Sequence, residues 1–396
     1  MYIIKTHRFQ ISTNLLLLVL GGINVAIFIS VLLQTQNNTP SILYRLFLIL
    51  LCIPLISTLR FNERLSLTKT TIILFWVMYS LRLIYDLYYR EIHLLSPYYS
   101  GSSKIAFYAF GGILIPMTVM LFTNLKIKAS YFKKGLKSVL DLAAIATILG
   151  ILIVYKNNFF NVFLDRYYLI NEEFIGEYGS MFTPIVISRL GAIIVVNNLI
   201  SQYKRHKYIE ITSSILGIIL LFLGASRAPL IICAVCVLIF LWTKSKKQLF
   251  FYFVLISAII LLIKPFFKIL DLSLINRLAN SENNRIEHWK SAIDGFINNP
   301  IFGNQIFDTY LFQYPHNIIL ESFMSIGFFG GILILIIIIN SLRTYNFFRT
   351  NNFLEIYYLY AQFLIFAMIS GSIFFSVEFW ILTACIANRE TICFRT

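Results

Sequence analysis

The first long apolar segment of the chain, ISTNLLLLVLGGINVAIFISVLL at residues 11–33, decides the fold class. About 20 apolar residues are enough for a helix to cross the hydrocarbon core of a bilayer. The segment is too long for the core of a signal peptide and lacks an A-x-A cleavage site. We therefore expect it to be retained as a membrane span.

Similar segments recur along all 396 residues, of which 58% are hydrophobic and only 13% charged. A soluble domain carries roughly 25% charged residues, so the composition excludes an ordinary water-soluble enzyme and a disordered chain. We predict an all-α, polytopic integral membrane protein with about 12 transmembrane helices, or 11 if the last two are one broken helix, in a single domain over residues 1–396. The predicted spans are 11–33, 41–58, 68–89, 105–124, 139–155, 181–201, 210–225, 228–243, 249–263, 316–341, 356–369 and 373–388.

The distribution of charge between the spans predicts the orientation. One set of loops is rich in lysine and arginine, whereas the opposite set contains the uncharged segment 34–40 and an acidic stretch from Asp165 to Glu177. Basic loops stay in the cytoplasm, so we predict that the amino terminus lies inside. Because topology explains the net charge of +15, nucleic acid is not an expected partner. The cytoplasmic basic residues are Lys126, Lys128, Lys133, Lys134, Lys137, Lys204, Arg205, Lys207, Lys244, Lys246 and Lys247.

Two predicted external loops, 156–180 and 264–315, are longer than a connection requires, and function often resides in such loops. In the second loop, the segment NNRIEHWKSAIDGFINNP (283–300) has apolar side chains at helical spacing between polar ones. These side chains are Ile286, Trp289, Ile293, Phe296 and Ile297. We predict an amphipathic helix that lies on the outer membrane face.

Several charged or titratable side chains fall at the predicted outer face, where the positive-inside rule does not explain them. They are Arg82, Asp86, Arg189, Arg227, Arg285 and His316. Arg82 and Asp86 lie four apart on one helical face, so they either neutralise each other or support a site. Headgroup anchoring is an alternative for Arg227 and Arg285. Arg189 lies about eight residues, roughly 12 Å, below the outer end of its span, where an arginine is costly unless it is paired or faces a wet cavity.

The segment YPHNIILESFMSIGFFGG (314–331) contains His316 and Asn317, then nine residues, then Gly327 and Gly330. This pattern resembles the H-N-x9-G-x-x-G motif of the bacterial O-antigen polymerase and O-antigen ligase family, whose members act on lipid-linked polysaccharide at the outer face of the inner membrane. We expect the glycines to allow close helix packing. Three further segments extend the resemblance over residues 180–390: FTPIVISRL with Pro184 and Arg189, GASRAPL with Ser226 and Arg227, and RIEHWKSAIDGFINNPIFGN with Arg285, Trp289, Pro300 and Gly303.

A glycan leaving a lipid pyrophosphate concentrates negative charge on the pyrophosphate as the glycosidic bond breaks. Guanidinium groups are always charged and bind phosphate oxygens through paired donors. We therefore predict Arg189, Arg227 and Arg285 as pyrophosphate-binding residues. No cofactor is expected, because the resemblance implies metal independence and the sequence has no D-x-D cluster to bind a metal.

The acceptor hydroxyl needs a base, and histidine suits this role near neutral pH. We predict His316 as that base, kept neutral by the positive end of a helix and by nearby arginines. Asn317 and Glu321 lie four apart and are predicted to pair on a neighbouring helical face. Glu321 is the alternative base.

These residues and the resemblance together imply an inverting glycosyl transfer enzyme of the bacterial inner membrane, with its active site facing the periplasm. Its donor would be a glycan on undecaprenyl pyrophosphate. The segment YPHNIILE (314–321) favours the polymerase, which extends the next lipid-linked repeat unit, over the ligase, which moves the finished chain onto lipid A core. A chain-length regulator, a repeat-unit flippase and membrane lipid are the implied partners. A transporter or flippase is the second alternative, although the candidate residues share one face and the sequence shows no internal repeat.

Overall fold

The computed structural model describes residues 2–34, 39–61, 65–96, 101–123, 127, 129–155, 183–201, 203, 205–224, 226–244 and 284–389. Within these ranges the chain is all-helical and contains no strand. Six of the described helices are long and apolar enough to cross a membrane. The predicted all-α class is therefore confirmed, and the helices support a multi-pass membrane protein.

The helices are numbered here in chain order. In the first half they are α1 (Tyr2–Leu32), α2 (Thr39–Ile56), α3 (Leu67–Ile84), α4 (Ser102–Ala106), α5 (Ile115–Phe122) and α6 (Ala129–Val154). In the second half they are α7 (Pro184–Ile200), α8 (Lys207–Leu223), α9 (Arg227–Lys244), α10 (Asn284–Asn298), α11 (Ile318–Leu342), α12 (Tyr345–Thr350), α13 (Leu354–Ile369) and α14 (Val377–Ala387). A π-helical segment, Tyr85–Tyr89, extends α3, and a second, Phe107–Leu114, joins α4 to α5.

The helices refine the predicted spans. The long apolar helical segments, some of which combine adjacent elements, are Ile11–Leu32, Thr39–Ile56, Leu67–Tyr89, Ser102–Phe122, Ala129–Val154 and Ile318–Thr350. The last two predicted spans correspond to two helices, α13 and α14, which the loop 370–376 separates. The predicted span 249–263 lies outside the described residues. The number of spans, the orientation and the external position of the loop 264–315 stay predictions.

The chain divides into two compact units. The first consists of Met1–Leu20, Leu43–Lys133 and Asn283–Thr396, and the second of Gly21–Ile42 and Lys134–Glu282. The predicted site residues in the first unit are Arg82, Asp86, Arg285, His316, Asn317 and Glu321. The second unit contains the other two, Arg189 and Arg227.

In the second unit, α7 begins later than the predicted span 181–201. The side chain of Thr183 caps the helix by accepting a hydrogen bond from the Val186 amide, and Pro184 occupies the first turn. Arg189 therefore lies five residues, roughly 7.5 Å, below the start of its helix. The helix thus begins after the predicted start of the span at residue 181, and the depth of Arg189 in the membrane stays a prediction.

In the first unit, a buried aromatic cluster joins α3 to α14. The rings of Phe75 and Trp76 each lie 5.2 Å from the ring of Trp380, measured between centroids. All three side chains are buried, and such aromatic contacts add to the stability gained by burial. The cluster fixes the height of Tyr79, one turn further along α3, which contacts Glu321 of α11.

Helix α11 is interrupted at Gly327, whose backbone has φ 74° and ψ −158°. The loop that precedes α11 supplies hydrogen bonds at this break. The Phe328 amide donates to the Pro300 carbonyl, and the Asn304 amide donates to the Met324 carbonyl, each at 2.7 Å. The loop backbone thus pairs with the helix backbone where the helix has lost its own bonds.

Glycine is required on both sides of this junction. Gly303 has φ 74°, and a Cβ there would lie 2.4 Å from the carbonyl carbon of Ser325. A Cβ on Gly327 would lie 2.3 Å from the carbonyl oxygen of Ile301. The prediction that the motif glycine at 327 serves helix packing is therefore wrong, because this glycine admits a loop backbone into a broken helix.

Candidate active site

His316 lies just outside α11. The next residue, Asn317, caps the helix, since its Oδ1 accepts hydrogen bonds from the amides of Ile319 and Leu320 at 2.9 and 3.1 Å. His316 itself has φ 56°, in the left-handed region, which turns the chain sharply before the cap. Asn317 thus has a capping role in place of the predicted pairing with Glu321, whose side chain bonds to other groups.

The His316 ring lies at a junction of three segments. Its ring centroid lies 4.4 Å from that of Tyr314 in its own loop and 5.6 Å from that of His288 in α10, and both ring pairs have edge-to-face geometry. The ring also donates a hydrogen bond to the backbone carbonyl of Ser370. The Ser370 hydroxyl in turn accepts a hydrogen bond from Nη2 of Arg285 at 3.4 Å. The structure therefore brings two predicted site residues, Arg285 and His316, to one serine.

The surroundings keep His316 neutral. The pKa of His316 is lowered to about 4, chiefly by burial and also by the charges of Arg285 and His288, while the hydrogen bond to Ser370 opposes this shift. The predicted influence of an arginine is confirmed. Burial is the larger cause, and it could not be seen in the sequence because the covering segments are remote in the chain. At neutral pH the ring is free to accept a proton.

Glu321 is fully buried in α11 and accepts three hydrogen bonds. Its Oε1 accepts from the Tyr79 hydroxyl at 3.1 Å and from the Ser372 hydroxyl at 3.0 Å, and its Oε2 accepts from the Ile373 amide at 3.0 Å. Two of these donors belong to the loop 370–376. Glu321 thus anchors the loop that carries Ser370 to the helix that follows His316.

Arg82 of α3 binds the loop that precedes His316. Its Nε donates to the Ser325 carbonyl at 2.8 Å, and its Nη2 donates to the carbonyls of Phe302 and Gly303 at 2.7 and 2.8 Å. Arginine suits this position because its planar group presents several donors at once. The residue holds both sides of the glycine junction.

Asp86 contacts the same loop from the π-helical extension of α3, one turn after Arg82. The carboxylate is buried, and its Oδ2 accepts a hydrogen bond from the Ile306 amide at 2.8 Å. Its Oδ1 lies 3.6 Å from a guanidinium nitrogen of Arg82 and 3.6 Å from one of Arg90. Arg90, which was not among the predicted site residues, donates a hydrogen bond to the Asn304 carbonyl at 2.8 Å. Arg82 and Asp86 therefore do pair, and they also position the loop.

Helix α10 contains the predicted amphipathic segment, and its helical structure is confirmed. Ile286, Trp289, Ile293 and Ile297 are exposed, with Ile297 at 64%. The face that packs on the protein is formed by His288, Ala292 and Gly295. An apolar stripe turned away from the protein agrees with a helix at a membrane surface, although its side of the membrane stays a prediction.

His288 and Asp308 form a buried pair that sequence reasoning missed. Nδ1 of His288 lies 2.5 Å from Oδ2 of Asp308, and the residues are only 3% and 1% exposed. The signal in the sequence was weak, since His288 falls between the apolar positions of α10 and helical periodicity gives it no partner. Asp308 lies 20 residues away in an irregular loop, where no spacing rule applies.

In the second unit, a hydrogen bond links the two serines that precede Arg189 and Arg227 in the chain. The Ser226 amide donates a hydrogen bond to the buried hydroxyl of Ser188 at 3.2 Å, so the residues that follow these two serines have neighbouring backbones. Arg227 is the first residue of α9, and its side chain lies outside the described residues.

Within the described ranges, no three His, Cys, Asp or Glu side chains come together in a way that could hold a metal ion. Metal independence stays a prediction of the sequence. The predicted loop 156–180 lies outside the described residues, as do residues 264–283 of the second predicted loop.

The long apolar helices are those of a multi-pass membrane protein. Its candidate site brings together His316, which lies just before the interrupted helix α11, and Arg285 of α10. Residues 212–335 match a protein family described as O-antigen ligase. The match includes Arg227, Arg285 and His316 and confirms the resemblance to the O-antigen polymerase and ligase family. Members of this family are glycosyl-transfer enzymes that act on lipid-linked glycans. No curated protein has a sequence that matches the chain.

Proposed function

We propose that the protein is a polysaccharide polymerase of the bacterial inner membrane. It transfers O-antigen or capsular glycan from undecaprenyl pyrophosphate onto the next lipid-linked repeat unit, with inversion at the anomeric carbon. The observation that carries the proposal is the junction at Ser370, where the neutral ring of His316 and the guanidinium of Arg285 contact one residue. A base and an anion-binding group are thus adjacent.

The reaction uses the two groups for different tasks. One ring nitrogen of His316 donates to the Ser370 carbonyl, so the other nitrogen has its lone pair available. It takes the proton of the acceptor hydroxyl while the hydroxyl oxygen attacks the anomeric carbon of the donor. The glycosidic bond to the pyrophosphate breaks, and its electron pair stays on the leaving pyrophosphate. Arg285 stabilises the charge that develops there.

Arg189 and Arg227 are proposed as further ligands of the pyrophosphate. The proposal is supported by their sequence motifs and by the Ser226 to Ser188 hydrogen bond, which keeps their backbones adjacent. Two arginines whose preceding serines are hydrogen-bonded to each other suit the two phosphates of one pyrophosphate.

The competing functions differ in how they account for the same features. The ligase reaction also deprotonates a sugar hydroxyl, so the proposed base does not distinguish it from the polymerase reaction. The feature that favours the polymerase is the sequence YPHNIILE at 314–321. A transporter would use a discontinuous helix to bind its substrate. In α11, however, the backbone groups at the break near Gly327 are already bonded, since the Pro300 carbonyl accepts a hydrogen bond there and the Asn304 amide donates one, which argues against a substrate at that point.

The test is a deletion strain of the native host, complemented with the wild-type chain or with His316→Ala. For a polymerase, surface glycan collapses to single repeat units on their normal carrier, and only the wild-type chain restores long polymer. Long polymer retained on undecaprenyl pyrophosphate and missing from lipid A core would instead identify a ligase. Repeat units trapped on the cytoplasmic side would identify a flippase.

A further inference from the structure

We propose that His288 and Asp308 are a positioning pair that sets the protonation state of His316 and the location of Arg285. This inference rests on the proposed function and deepens it, because it adds two residues to the same site. His288 is too deeply buried to meet a sugar, so it acts through its neighbours.

Asp308 is rigidly held. Its Oδ1 accepts hydrogen bonds from the amides of Tyr310 and Leu311, each at 3.0 Å, and closes a turn in the loop before α11. Its Oδ2 is therefore fixed in direction, and this oxygen bonds Nδ1 of His288. The ring of Tyr310 packs edge-to-face on His288 at 5.4 Å. The imidazole of His288 thus has one orientation.

The pair affects His316 through charge. The ring centroids of His288 and His316 are 5.6 Å apart, and the planes are inclined by 76°. The groups facing His316 are Arg285 and His288 from α10, Tyr314 from its own loop and the Ser370 carbonyl from the loop 370–376. At this distance the charge of His288 opposes a proton on His316 and lowers the pKa of His316.

The pair also affects Arg285, which lies one turn before His288 on α10. By bonding to Asp308, His288 ties α10 to the loop that ends at His316. A second link between the same two segments exists at the surface, where the Ser291 hydroxyl lies 2.9 Å from the Thr309 hydroxyl. The second link does not touch His316, which makes it a matched control.

Three variants separate these effects in a purified assay with the lipid-linked repeat unit as donor and acceptor. His288→Gln keeps a donor for Asp308 but cannot become charged. Asp308→Ala removes the link between α10 and the loop. Ser291→Ala removes the surface link alone. The measurements are the pH dependence of kcat/KM and the KM for the donor.

We expect His288→Gln to move the acid limb of kcat/KM upward by roughly one pH unit, because a nearby positive charge is lost. The donor KM should stay unchanged. Asp308→Ala should raise the donor KM several-fold, since Arg285 is less firmly placed. Ser291→Ala should change neither quantity.

An acid limb that stays in place in a folded His288→Gln protein would overturn the inference, as would an equal shift in Ser291→Ala. Thermal unfolding of each purified variant verifies the fold. If Asp308→Ala does not fold, the acid limb of kcat/KM in His288→Gln still tests the inference. The proposed function fails separately, when His316→Ala keeps its turnover. If His316→Ala is inactive but His288→Gln has the same pH profile of kcat/KM as the wild type, this inference is refuted and the proposed function is not.

Discussion

The His316 ring donates a hydrogen bond to the backbone carbonyl of Ser370, 54 residues further along the chain. Ser370 begins the loop between α13 and α14, which is anchored twice. Glu321 binds Ser372 and Ile373, and Nε1 of Trp380 donates to the Ile373 carbonyl at 2.9 Å. The position of the proposed base therefore depends on a loop that enters the site from the far end of the chain.

Replacement of His316 by alanine should abolish transfer while the protein still inserts and binds its lipid-linked donor. General acid-base catalysis contributes about 10²- to 10⁴-fold, so turnover should fall by at least that range in a purified assay. His206→Ala is the matched control, because this histidine is exposed in the second unit. Near-normal turnover by folded His316→Ala would refute the mechanism.

The pH profile should lack the limb that an ordinary histidine base produces. His316 must be unprotonated to act, and its pKa is lowered to about 4. The value of kcat/KM should therefore hold as the pH falls from 7.5 to 5.5 and decrease only as the pH approaches 4. A limb centred near the ordinary histidine value of about 6.5 would contradict the assignment.

Two substitutions of Arg285 should separate its charge from its geometry. Arg285→Lys keeps the charge that lowers the pKa of His316, so the acid limb should stay in place while the donor KM rises because the paired donors are lost. Arg285→Ala loses both, and the acid limb should also move to higher pH. A donor KM that neither variant changes would remove Arg285 from the donor site.

Glu321 should matter more for stability than for chemistry. Glu321→Gln places an amide NH2 against donors that now face a carboxylate, and a buried donor left without an acceptor costs about 1–3 kcal/mol. Thermal unfolding in detergent should report this loss, with turnover affected far less than in His316→Ala. Glu287→Gln is the control, since its ion pair with Lys290 is largely exposed. Loss of turnover in stable Glu321→Gln would instead favour Glu321 as the base.

The glycine junction should not tolerate a Cβ. Gly303→Ala and Gly327→Ala combine a positive φ with backbone contacts of 2.4 and 2.3 Å, so each should lower the free energy of unfolding by about 2 kcal/mol or more. Gly101→Ala is the control, because a Cβ there would meet its nearest atom, in Lys104, at 3.7 Å. Equal melting temperatures for all three variants would show that the loop backbone does not pack closely against the break in α11.

The predicted orientation can be tested by labelling single cysteines with a membrane-impermeant thiol reagent. The native Cys52, Cys233, Cys236 and Cys385 are buried, and all five native cysteines should be removed first. A cysteine at Gln313 should react in intact cells, and one at Lys134 should not. The opposite pattern would invert the topology and exclude a periplasmic active site.

The sequence by itself determined the helical class, the amphipathic α10 and two residues of the candidate site. Long apolar segments have few alternatives to a helix in a membrane, because every backbone polar group must be satisfied internally. Arg285 and His316 could be selected because charge is costly beside such segments and because a short motif surrounds the histidine. These inferences use only local spacing.

Only the tertiary structure decided how these residues are held. The burial that lowers the pKa of His316, the contact at Ser370 and the pair of His288 with Asp308 join segments far apart in the chain. The role of Gly327 likewise depends on the loop that enters the helix beside it. Periodicity assigns a residue to a face of a helix, but its partner across a loop depends on packing, since contacts between distant segments follow no fixed spacing.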